Sequence, residues 1–168
     1  ILALLDRVVH VDTTTFAAHA VRSTPGTCRG VIVPDAGAAK RSEAVAAILG
    51  VPTFQALKHR DMTTGKLSNF EVPALPATSD GDYFAIVDDI CDGGGTFMGL
   101  AQATGLSKDH LVLFVTHGIF SGKAYELDGY YRRIYTTDSI DHNSNPNRGQ
   151  YGNQFVVHDI VRNRLIDI

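Results

Sequence analysis

Residues 84–97 read FAIVDDICDGGGTF, an apolar run followed by three aspartates and three consecutive glycines within nine positions. Glycines in a row let the backbone take angles closed to other residues, so successive N–H groups can converge on one anion at the start of a helix. Thr96 adds a hydroxyl donor. Such a nest suits a phosphate dianion. Asp88 and Asp89 would repel that phosphate, so they must serve a different part of the ligand, and carboxylates accept hydrogen bonds from sugar hydroxyls or hold Mg²⁺. Phosphate at one end and hydroxyls at the other describe a sugar phosphate. The plain alternative is an aspartate-capped glycine turn with no ligand, a reading that the crowding of three Asp and three Gly disfavours. A side chain at Gly94 is expected to abolish binding and leave stability nearly unchanged.

The usual nucleotide loops do not fit. Gly65-Lys66 is followed by Leu67 where a Walker A loop needs Ser or Thr, and Met98 stands where a dinucleotide fingerprint needs its third glycine. Two further stretches have suitable chemistry. Pro34-Asp35-Ala36-Gly37 reads as a strand-to-helix turn, either a routine βα connection or one whose exposed N–H groups can take an anion. Lys58-His59-Arg60 places cations at another strand end. His117 and Ser121, in THGIFSG, follow a further strand and are assigned a shaping role, with Gly118 and Gly122 bending the loop. His10, His19, His110, His142 and His158 show no metal-ligand spacing.

These loops need strands to carry them. Strand-length apolar runs recur at 30–33, 53–57, 83–87, 111–115, 133–136 and 154–157, and helical patterns occupy 38–49 and 96–104. Runs such as FAIV and LVLFV are continuously apolar, which suits a parallel sheet covered on both sides rather than a half-exposed one. The expectation is an α/β fold with a doubly wound, mainly parallel sheet and helices on both faces. Ligands of such sheets bind beyond the carboxyl ends of the strands, where the loops above fall. Residues 59–76 carry charges, Gly65 and two prolines without clear periodicity, and are expected to form a long mobile lid. Residues 138–152, dense in Asn, Asp, Pro and Gly, read as a turn-rich excursion.

With 168 residues and 44% hydrophobic content, the chain is expected to form a single domain spanning 1–168. A net charge of −3 gives no basic face for nucleic acid, and no apolar run approaches the roughly 20 residues a membrane span requires. Cys28 and Cys91 suggest neither a disulfide framework nor a zinc site, and a reducing, cytoplasmic setting is expected. The start at Ile1 suggests part of a longer chain.

VIVPDAGAAKR at 31–41, the acidic-glycine stretch, and VTHGIFSGKA at 115–124 together resemble the ribose-phosphate diphosphokinases, or phosphoribosyl diphosphate (PRPP) synthetases, of the type I phosphoribosyltransferase superfamily. The likeness is to the C-terminal half of that enzyme. It implies transfer of diphosphate from ATP to ribose 5-phosphate, giving PRPP and AMP. Asp88, Asp89, Asp92, Gly93, Gly94, Gly95 and Thr96 would then bind ribose 5-phosphate, and Asp35, Ala36, Gly37 and Ala38 the diphosphate. Asp35, Asp88 and Asp89 would hold Mg²⁺, while Lys58 and Arg60 would be catalytic cations. Charge gathers on phosphoryl oxygens in such a transfer, so fixed cations supply much of the acceleration. The resemblance also implies a homo-oligomer and an N-terminal half that supplies ATP contacts. The segment 61–66 is less basic than its counterpart in the family, and Lys66 is a candidate substitute cation. Two alternatives remain at this stage: a phosphoribosyltransferase joining PRPP to a nucleobase, and a non-catalytic relative that regulates active subunits.

Overall fold

The computed structural model describes residues 11–60, 67–142, 145 and 148–158. The first helix, α1 (Thr13–Arg22), begins where the Asp12 carboxylate accepts a hydrogen bond from the Thr14 amide at 2.9 Å. That cap satisfies one of the orphan donors of the first turn and offsets the poor propensity of three successive threonines. Strand β1 (Thr27–Val33) leads through residues 34–38 into α2 (Ala39–Leu49), which stops at Gly50 in the left-handed region, φ 72°. Then come β2 (Thr53–Gln55), β3 (Leu57–Arg60), β4 (Leu67–Glu71) and the long β5 (Asp82–Cys91). Helix α3 (Gly95–Thr104), β6 (Leu111–Gly118), β7 (Arg133–Thr137) and β8 (Phe155–His158) complete the order.

Six strands form one sheet in the order β2-β1-β5-β6-β7-β8, and every pairing in it is parallel. Alternation along β5 feeds two cores. Tyr83, Ala85 and Val87 pack with Val45 and Ala46 of α2 and the Ala17–Val21 stretch of α1, while Phe84 and Ile86 pack with Phe97, Leu100 and Ala101 of α3. Helices therefore cover both faces, which is why the inner strands carry no polar alternation. The expected architecture is observed.

Topology fixes where a ligand belongs. From β1 the chain moves outward to β2, then returns to place β5 on the other side of β1. The connections leaving β1 and β5 thus part to opposite faces, α2 to one and α3 to the other, and open a crevice at their carboxyl ends.

One expectation is corrected. Residues 59–76 are not one structureless lid: β3 and β4 pair antiparallel, from Leu57 opposite Glu71 to Arg60 opposite Leu67. Phe70 buries its ring in the same core as Leu100, which gives the hairpin an anchor on the domain. The tip, 61–66, with Lys66, lies outside the described residues. Helix α1 was not anticipated, because its Thr-rich start hides an Ala-rich buried stripe. The described residues of 138–152 include a short 3₁₀ turn, Arg148–Gln150, in keeping with a turn-rich excursion. No helix among the described residues is long and apolar enough to cross a membrane. Cys28 and Cys91 are both free thiols.

Candidate functional site

At the carboxyl end of β1 the Asp35 carboxylate folds back on its own loop. Its Oδ1 accepts from the Gly37 amide at 2.9 Å and the Ala38 amide at 3.2 Å. The loop is thereby preset into a tight turn, and the same two amides that would hold an anion are engaged by Asp35. The other carboxylate oxygen, Oδ2, lies 3.8 Å from the Lys58 ammonium. Lys58, from β3, is largely shielded at 17% side-chain exposure and sits 5.9 Å from the centroid of the Phe70 ring. An aromatic face attracts a cation and helps hold it in a fixed place.

The neighbouring strand end carries the acidic pair. Pairing of β5 with β6 continues past Val87 to Cys91, opposite Gly118, so Asp88 and Asp89 belong to the strand and not to the turn after it. Asp88 is 16% exposed and Asp89 53%. Burial pushes the Asp88 carboxyl up to about 6, with Asp89 and Asp35 nearby adding to the rise. Asp89 goes the other way: burial opposes its charge, but the hydrogen bond with Asp88 and the Arg41 guanidinium outweigh it and lower its value. Unequal titration of adjacent carboxyls is what like charges at close range impose. Arg41, on α2, ion-pairs with Asp88 and with Asp89, each at 3.2 Å.

Beyond Cys91 the glycines turn the chain into α3. Gly94 is left-handed, φ 79°, and a Cβ there would meet Leu127 and Met98 at 3.1 Å. Gly93 and Gly95 face open space. Helix α3 follows Gly94 as its N-cap, with no side-chain cap and no acid in its first turn, leaving its leading N–H groups and positive dipole end at the carboxyl end of β5. Thr96 is half-buried in that turn. Asp92 instead accepts a hydrogen bond from the Ser121 hydroxyl.

The loop after β6 is strapped to this turn. The Ile119 and Phe120 amides donate to the Cys91 carbonyl at 2.8 and 3.1 Å, and the Ser121 amide donates to the Asp92 carbonyl at 3.1 Å. Phe120 takes φ 49°, unusual outside glycine, and is held there by burial of its ring against Tyr151 and Phe155. His117 shares a 2.7 Å hydrogen bond through Nδ1 with the Ser139 hydroxyl. A cleft of about 460 Å³ opens between Arg41, Asp89, Ile90, His117 and Ser139.

No protein-family model matches the chain. A ribose-phosphate pyrophosphokinase of Sulfolobus acidocaldarius is 31% identical over 113 residues, 66% of this chain and 38% of that relative. The structure of a phosphoribosylpyrophosphate synthetase from Mycobacterium smegmatis superposes with a TM-score of 0.71 at 20% identity, covering 98% of this chain and 52% of that one. The fold is that of the phosphoribosyltransferases, and the sequence is related to the ribose-phosphate pyrophosphokinases. An APRTase from Giardia lamblia solved with 9-deazaadenine aligns with a TM-score of 0.59 at 18% identity, over 74% of this chain and 75% of that one. This chain spans well under half the length of the curated pyrophosphokinases it matches, between 30% and 38%.

Of the residues singled out from sequence, the phosphoribosyltransferase fold brings Asp35, Asp88 and Asp89 to one rim, with Lys58 against Asp35 and the glycine turn next to the acids. Arg60 closes β3, its backbone opposite Leu67. Among the described residues no group of three or more His, Cys, Asp or Glu side chains assembles a metal cage. That donor set still suits Mg²⁺, which keeps several waters and is commonly held by one or two carboxylates with substrate phosphates. Sequence reasoning missed Arg41. Its signal was present: it lies six residues after Asp35, in the first turn of the helix that the loop starts, where a cation opposes the helix dipole.

Proposed function

We propose that this chain carries the ribose 5-phosphate and diphosphate sites of a ribose-phosphate diphosphokinase, which moves diphosphate from ATP to the C1 hydroxyl and yields PRPP and AMP. The observation that carries this reading is the meeting, at one topological switch point, of an uncapped glycine-led helix start, an acidic pair and a second anion loop flanked by a lysine. The relation to named ribose-phosphate pyrophosphokinases supports it.

In this reading the N–H groups at the start of α3 and the Thr96 hydroxyl donate to the 5-phosphate. Asp88 and Asp89 accept from the ribose hydroxyls. Asp92 braces the turn through Ser121. The Gly37 and Ala38 amides transfer from the Asp35 carboxylate to the diphosphate, and Lys58 moves from Asp35 to the phosphoryl oxygens as charge gathers there. Arg60 is proposed to join it. Mg²⁺, held by Asp35, Asp88 and Asp89 together with phosphate oxygens, would neutralise charge on the transferred group. Contacts to the donor's nucleoside and assembly into a homo-oligomer belong to the same proposal. Formation of AMP from ATP and ribose 5-phosphate by the full-length protein supports the assignment. Release of diphosphate from PRPP in the presence of a nucleobase, with no AMP formed from ATP, would replace it with a phosphoribosyltransferase.

A further inference from the structure

Arg41 occupies an electrostatically awkward position. It is in the first turn of α2, next to Lys40, in a turn with no acidic residue, where the helix dipole disfavours cations. What it gains is contact with both aspartates across the crevice. Nη1 donates to Asp88 Oδ1 and Nη2 reaches Asp89 Oδ2, each at 3.2 Å, and the arginine side chain is only 26% exposed. Its neighbour Ser42 is fully buried and donates from its hydroxyl to the Val87 carbonyl at 3.2 Å, which pins the base of Arg41 to β5 beside the acids. Asp88 Oδ1 also accepts from the Asp89 amide at 2.8 Å. Two donors on one oxygen set the plane of the carboxylate. A planar fork can engage two acids at once, whereas a lysine ammonium acts as a point charge.

We propose that Arg41 is a positioning residue: it presets Asp88 and Asp89 as acceptors for ribose hydroxyls and ties their orientation to the helix that carries the diphosphate loop. This rests on the sugar-phosphate reading of the rim. Arg41 touches no substrate in this scheme and acts through the two carboxylates.

The test uses the full-length protein, its R41M and R41K variants, and two readouts. Hydrogen exchange at the Asp89 amide reports the order of the pair without any ligand; it is expected to be about tenfold faster in both variants, while the Phe84 and Leu113 amides in the sheet are unchanged. Titration with ribose 5-phosphate is expected to show about a tenfold loss of affinity in R41M, and only partial recovery in R41K, the scale of one lost charge-assisted pair. Full recovery by lysine of both exchange protection and affinity would make Arg41 a mere counter-charge and overturn the proposal. So would unchanged exchange in R41M. Failure of the wild type to bind ribose 5-phosphate, with Asp89 exchange still dependent on the arginine, would instead remove the sugar-phosphate reading and leave Arg41 as an organiser of the acidic pair.

Discussion

Lys58 lies between an Asp35 carboxylate at 3.8 Å and the Phe70 ring at 5.9 Å, largely shielded from water. A cation held this way is most valuable when charge develops near it. Lys58→Ala in the full-length protein is therefore expected to lower kcat by about a hundredfold or more and to shift KM for ribose 5-phosphate by only a few fold. A rise in KM with kcat unaltered would contradict the role. Asp88 makes a different prediction, about stability. Its folded value, about 6, is above the ordinary 3.8, so between those values the native state holds more protons than the unfolded chain. Stability from this group is greatest below about pH 4 and is lost as pH rises through about 6. Asp88→Asn removes that penalty: it is expected to raise Tm at pH 8, to change it little at pH 4, and to weaken ribose 5-phosphate binding at pH 8. A thermal scan at the two pH values decides, and a lower Tm at pH 8 would show that the Arg41 contact outweighs the burial of the charge.

At the scale of elements, the turn before α3 overturns one mutational expectation read from the sequence, that a side chain at Gly94 would leave stability nearly unchanged. Gly94 combines φ 79° with a Cβ direction closed by Leu127 and Met98, so Gly94→Val is expected to destabilise the fold by about 1–3 kcal/mol and cannot separate binding from folding. Gly95→Val is the cleaner probe, because its Cβ meets open space. It is expected to impair ribose 5-phosphate binding with Tm nearly unchanged; undiminished affinity would move the phosphate away from this turn. The six strands of the large sheet and the helices α2 and α3 were legible because continuous apolar runs and Gly50 and Gly105 mark them directly. Helix α1 was not, since its stability comes from one cap and from burial of Ala17, Ala18, Ala20 and Val21 against the sheet. Asp12→Ala should cost about 1 kcal/mol, measured by denaturant unfolding, and a null effect would show that packing alone holds α1. The β3–β4 hairpin escaped notice for a related reason. Phe70, its buried anchor among the described side chains, gives no periodic pattern, so charges and prolines dominated the reading of 59–76. Arg41 escaped because its partners lie in another element, 47 residues along the chain for Asp88.

For the whole molecule, strand order matters more than any single motif. Because β1 and β5 are neighbours whose connections leave on opposite faces, the Asp35 loop and the acidic-glycine turn, some fifty residues apart in sequence, share one rim. The likeness in fold to a phosphoribosylpyrophosphate synthetase extends over 98% of the chain, whereas detectable sequence relation to the pyrophosphokinases covers 66%. Calorimetric titration of the protein with ribose 5-phosphate at pH 8, in wild type and Asp89→Asn, tests the assignment of that rim most directly. Saturable binding at one site per chain, weakened at least tenfold in the variant, is the expected result, on the scale of a lost charged hydrogen bond. No binding to the wild type, or equal affinity in the two, would contradict a sugar-phosphate site at the ends of β1 and β5.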